Sequence, residues 1–182
     1  IHAIAEDSRR HVRTGIVAAF RKLIAARGNP MIRALAVFSD GYLQAHLVLE
    51  ALASRDLLAS IHDGAEVLAR LDEAFALADR ASRASDRSQG ARTLRRRLPS
   101  QITLFMARFP ETLAWFEDKT TFQRPETREV LTDTVAALRK GNIGRAAADR
   151  LAALIEASAP LPRDPSRIVQ GTRKRGRGKG RR

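Results

Sequence analysis

Apolar side chains return at three- and four-residue intervals through most of this chain, the spacing of amphipathic helices. Val12, Ile16, Ala19, Phe20, Leu23 and Ile24 form one such stripe, with Arg9, Arg10, Arg13, Arg21 and Lys22 on other faces, which predicts a helix over 8–26. Gly28 suits its C-terminal cap, and Asn29-Pro30 supplies the cap and first turn of the next helix. Residues 31–53 are ambiguous. Ser39-Asp40-Gly41 is a turn signal, and Leu43, Ala45, Leu47 and Leu49 alternate as in a hairpin strand. Against the strand, the stretch is rich in Leu and Ala and poor in β-branched residues, so helix–turn–helix is the preferred reading.

Asp63 and Glu66 have the spacing of a capping box, in which each side chain satisfies an amide at a helix start. The helix they open carries Val67, Leu68, Leu71, Ala74, Phe75 and Ala78 on one face and is expected to reach Ala84. Residues 85–93 hold no large apolar side chain and read as an exposed loop, followed by Leu94-Arg95-Arg96-Arg97-Leu98 and Pro99. Ser100 then caps a short helix bearing Ile102, Phe105, Met106 and Phe109, and Pro110 stops it and begins a turn with Leu113, Trp115 and Phe116. These aromatics follow the apolar stripe and read as core; a base-stacking surface is the alternative.

Residues 125–158 predict an antiparallel helical hairpin. Glu126 and Glu129 near its start and Arg139-Lys140 near the end of its first helix match the helix dipole. Val130, Leu131, Val135 and Leu138 line one face, Gly141 ends that helix, Asn142 can cap the next, and 146–155 returns. The expected fold is all-α: one helical bundle of about seven helices over 1–158, ending in that hairpin. A Pro-containing linker over 159–170 and a disordered Arg/Lys/Gly tail over 171–182 complete the expected organisation.

Composition narrows the class. The 44% hydrophobic share is dominated by Ala and Leu, which favours helix, and 182 residues suffice for one domain with a real core. The chain has no cysteine, which excludes disulfides and thiolate chemistry, and no apolar run approaches the ~20 residues of a membrane span. No secretory signal pattern opens it, so a cytoplasmic location is expected; Arg outnumbers Lys 28 to 5, which suggests a GC-rich bacterial genome. It begins at Ile1 without methionine, so a piece of a longer protein is one reading left open.

Charge is unevenly placed. Residues 1–33 carry a net +5, 34–79 a net −6, 80–97 a net +6, 98–170 a net +1, and 171–182 a net +7. The final segment, Arg173 to Arg182, reads RKRGRGKGRR and has nothing apolar to bury. Its Arg173, Lys174, Arg175, Arg177, Lys179, Arg181 and Arg182 are the first candidate anion contacts. If all seven met phosphate, affinity for duplex DNA would fall with salt at a log–log slope of roughly −6. Arg92, Arg95, Arg96 and Arg97 form the second candidate cluster, and Arg9, Arg10 and Arg13 the third. The bland reading of arginines scattered in the domain is codon bias plus solubility.

Catalytic signatures are absent. Of His2, His11, His46 and His62, His46 with Glu50 has an i,i+4 spacing that could pair two metal ligands; HExxH is missing, and a satisfied or solvent-facing histidine is the better reading. Neighbouring acids such as Asp72-Glu73 and Glu117-Asp118 point apart on a helix, and no GxxxxGK[ST], GxGxxG or GxSxG occurs. No catalytic residue, metal site or cofactor is expected.

Three short stretches resemble pieces of known families. GNIGRAAADRLAAL at 141–154 resembles the second half of a tetratricopeptide repeat, but Arg150 stands where that family prefers an aromatic and no second copy occurs. Ser39-Asp40-Gly41-Tyr42-Leu43 with His46 is similar to the start of the recognition helix in TetR-type repressors, but the segment between Gly28 and Ser39 is too short for the motif. Phe20 to Leu35 resembles the ligand-binding domain of FadR-type regulators, whose histidine after the Phe is Arg21 here. None extends far enough to assign a family. The expectation is therefore a non-catalytic accessory or regulatory protein that binds DNA or RNA. The alternative is a helical protein-interaction or self-associating module, or the C-terminal part of a larger protein, whose tail is only a polyanion tether.

Overall fold

The computed structural model describes residues 2–5, 7, 9–82, 84–121, 124–141 and 144–159. All regular elements among them are helical. They are α1 (His2–Ala5), α2 (Arg10–Arg27), α3 (Asn29–Ala34), α4 (Tyr42–Leu52), α5 (Arg55–Ser60), α6 (Ala65–Asp79), α7 (Gln89–Arg108), α8 (Glu111–Lys119), α9 (Pro125–Lys140) and α10 (Arg145–Ala157). Single 3-10 turns at Leu35–Phe38 and Ser85–Arg87 complete the set. The all-α class expected from the periodicity is the class observed. The tail and linker positions 160–182 lie outside the described residues, as does Asn142.

Helices α2, α4, α7, α9 and α10 pack in that order, each against the next; α6 lies across α4, α7 and α9, and α8 rests on α7. Helix α4 is central. Every residue from Gln44 to Leu49, together with Ala51 and Leu52, is buried. A helix enclosed on nearly all sides carries apolar residues all round, so the alternation of Leu43, Ala45, Leu47 and Leu49 was no sign of a strand face. Residues 31–53 form helix, turn and helix. Gly28, at φ 62°, joins α2 to α3, a left-handed conformation that glycine adopts at no steric cost.

Three expectations fail between residues 79 and 108. Helix α6 stops at Asp79, not Ala84, and α7 begins at Gln89, inside the expected loop. Ser88 caps it, its hydroxyl accepting from the Ala91 amide at 3.1 Å. The helix then runs through Pro99 without interruption to Arg108, where a break and a new cap at Ser100 were expected. Leu94, Leu98, Ile102 and Phe105 form one stripe on either side of the proline, each at most 1% exposed. Burial of such a side chain contributes about 1.5–3 kcal/mol. Four together outweigh the roughly 3 kcal/mol that an interior proline costs.

Asp63 caps α6 only in part. Its carboxylate accepts from the Ala65 amide at 2.9 Å, while Glu66 turns instead to Arg33, 2.6 Å away. The aromatics are core: Phe105, Phe109 and Phe116 are buried, and Trp115 meets Phe75 edge-on at 5.4 Å. The indole N–H of Trp115 donates to Asp72 at 2.8 Å, which satisfies its polar edge.

The arginines of the domain do more than solubilise it. Arg21 donates to the carbonyls of Glu50 (2.8 Å) and Ala51 (3.3 Å) at the end of α4. Arg70, buried, donates to Ile32 (3.2 Å) and Arg33 (2.9 Å) in the last turn of α3. Arg108 reaches Leu58 and Ile61 at the end of α5, at 3.0 and 2.7 Å. Arg124 and Arg128 make the same contact with Asp79 of α6 and Ile155 of α10. Five helix ends thus receive a guanidinium from another element, where the last carbonyls lack the regular i+4 amide and the dipole is negative.

Candidate functional site

Helix geometry divides the run Arg95-Arg96-Arg97. Successive side chains on an α-helix point about 100° apart, so three neighbours face three directions. Arg92, Arg95 and Arg96 border a hollow of about 270 Å³ against α9, whose Glu126, Glu129 and Asp133 line the other side with Val130. Guanidiniums there face carboxylates of the same molecule. Arg97 turns the other way, and Arg96 stands between the two.

On that second side α7 presents Gln89, Thr93, Arg96 and Arg97, positions that share a helix face. Leu43, His46, Leu47 and Glu50 of α4 show the same periodicity, and Arg13, Thr14 and Val17 come from α2. The three faces enclose a cleft of about 480 Å³. Arg13 of the amino-terminal cluster is thereby brought beside Arg96 and Arg97, more than eighty positions away in the chain. The side chains of Arg96 and Arg97 are both exposed. Arg13 is half-buried and held in place by donating to the Asp7 carbonyl at 2.5 Å.

The remaining candidates are dispersed. Arg9 is paired at 2.8 Å with Asp7, whose carboxyl the hydrogen bonds from Arg9 pull down to about 2, so the Arg9 charge is compensated locally. Arg10 opens α2, and its side chain is outside the described set. Arg173, Lys174, Arg175, Arg177, Lys179, Arg181 and Arg182 all fall outside the described residues.

His46 is the residue that sequence reasoning undervalued. It lines the cleft at 8% exposure, and its Nδ1 is enclosed with no hydrogen-bond partner among the described residues. Burial pushes the imidazole pKa below its ordinary value; Glu50 opposes that shift, and Arg97, Arg13 and Arg96 reinforce it. Glu50 lies on the same face, and its carboxylate accepts from Gln101 Nε2 at 3.3 Å. Their i,i+4 spacing was visible in the sequence, but nothing there placed arginines across from it. Among the described residues no group of three or more His, Asp or Glu side chains could hold a metal ion.

Much of the acidic stretch 34–79 is committed inside the fold. Glu66 pairs with Arg33, Glu73 with Arg70, and Asp72 with Lys119, while Asp79 accepts from the Thr127 hydroxyl. These acids need no outside cation. No helix among the described residues is long and apolar enough to cross a membrane. Comparison with protein-family models, curated proteins and solved structures gives no match, so the functional reading rests on these residues alone.

Proposed function

We propose that this protein is a non-catalytic nucleic-acid-binding accessory protein that engages the phosphate backbone through Arg13, Arg96 and Arg97 and through its Arg/Lys/Gly terminal segment. The convergence of Arg13 with Arg96 and Arg97 on one cleft is the observation that carries this reading. Guanidinium groups suit phosphate because their planar fork gives two parallel charge-assisted hydrogen bonds. Contacts of this kind give affinity and orientation with little sequence preference. Selectivity then comes from the folded domain.

Fluorescence anisotropy with labelled single-stranded and duplex oligonucleotides tests the proposal. The chain ending at residue 170 is expected to bind more weakly than the full chain, and Arg96→Ala with Arg97→Ala to weaken both. Unchanged affinity on truncation overturns the role of the terminal segment. Unchanged affinity in the double variant overturns the role of the cleft.

A protein-interaction module is the second reading, and one observation favours it. A groove of about 520 Å³ between α5 and α7 is lined by Leu58, Ala59, Leu104 and Ala107, with Arg55 and Arg108 among its other residues. Absence of nucleic-acid binding by either chain in the same titration would move the assignment to this class.

A further inference from the structure

Among the described residues, Glu50 is the one carboxylate lining the cleft between α2, α4 and α7, and that acid separates possible ligands. Inorganic phosphate or sulfate would be drawn by Arg13, Arg96 and Arg97 but repelled by Glu50. A phosphate ester with hydroxyl or amino donors at its other end meets both sets of groups favourably. Thr14, Gln89 and Thr93 add neutral donors and acceptors to the lining. His46 lines the same wall beside Glu50, 8% exposed. The volume, about 480 Å³, lies in the range of small-molecule sites.

We propose that this cleft binds one nucleoside monophosphate unit, its phosphate on Arg13, Arg96 and Arg97 and its sugar or base donors toward Glu50 and His46. The unit is either a free nucleotide or the phosphorylated end of a strand. This deepens the nucleic-acid reading, uses the same arginines, and rests on that reading only where the source is a strand.

Calorimetric titration of the full chain with adenosine 5′-monophosphate, adenosine and inorganic phosphate tests it, alongside anisotropy with one labelled single strand carrying a 5′-phosphate or a 5′-hydroxyl. The monophosphate is expected to bind roughly tenfold or more tightly than adenosine or inorganic phosphate, as the loss of charge-assisted hydrogen bonds implies. Arg96→Ala with Arg97→Ala should abolish that preference, and because both positions are exposed the variant should melt like the parent. Glu50→Gln should narrow the gap between monophosphate and inorganic phosphate. The His46 imidazole resonance should shift on saturation in the parent and stay fixed in the arginine double variant.

Binding of the monophosphate together with tighter binding of the 5′-phosphorylated strand supports a strand end as the source. Monophosphate binding without strand binding supports a free nucleotide and removes the nucleic-acid reading. Equal binding of both strands with no monophosphate binding overturns the pocket while leaving backbone binding intact. Failure of every probe overturns both.

Discussion

Burial holds the His46 imidazole below its ordinary pKa of 6.5, and this makes the residue a reporter of the cleft. The unfolded chain takes up a proton on this side chain as pH falls through 6.5, while the folded chain resists it until lower pH. Stability associated with His46 is therefore intact above 6.5 and is lost as pH falls from there through the folded-state value. Asp72 acts further into acid: its own burial pushes the pKa up, but Lys119 and Trp115 more than compensate and leave it below 3.8. His46→Gln should flatten the fall of Tm as pH drops below about 6.5 and leave the more acidic limb, where Asp72 protonates, unchanged. An equally steep decline in the variant over that window contradicts the assignment. None of this was legible at position 46, because the spacing to Glu50 says nothing about what lies across from it. The core residues were different: Val67, Leu71, Phe75, Leu131 and Leu138 stand out by spacing alone, and all are buried.

At the scale of elements, the arginines that cap other helices are the least obvious part of the design. Arg70 and Arg108 each serve two carbonyls of a distant helix end. Arg70→Ala removes a buried guanidinium and leaves those carbonyls and Glu73 without it, so a loss of roughly 2–4 kcal/mol is expected in urea unfolding. Arg70→Lys should recover little, since an ammonium lacks the fork that reaches the α3 carbonyls from one nitrogen and Glu73 from the other. A loss within about 0.5 kcal/mol, the range of an ordinary surface substitution, would show that the caps are incidental. Helix existence was readable wherever an apolar stripe was long, as in α2, α6 and the α9–α10 hairpin. Two things were not. Pro99 reads locally as a break, and only the stripe from Leu94 to Phe105 on both sides of it explains its tolerance. The arginine caps join positions far apart in the chain, so no local pattern announces them.

For the whole molecule, the decisive property is where positive charge gathers. The net +13 of the chain is divided among terminal residues, arginines that cap helices, pairs such as Arg139–Asp149 at 2.8 Å, and the small group converging on the cleft. The sequence supplied the blocks of charge. It could not show that Arg92 and Arg95 turn to α9 while Arg97 and Arg13 line one cleft, because that depends on helix rotation and on packing of α2, α4 and α7. The most direct measurement is the salt dependence of strand affinity for the full chain and for Arg96→Ala with Arg97→Ala. If the two arginines hold one phosphate of the strand, the log–log slope should become shallower by about 0.7 on a single strand. A slope identical to the parent's would contradict phosphate binding at the cleft.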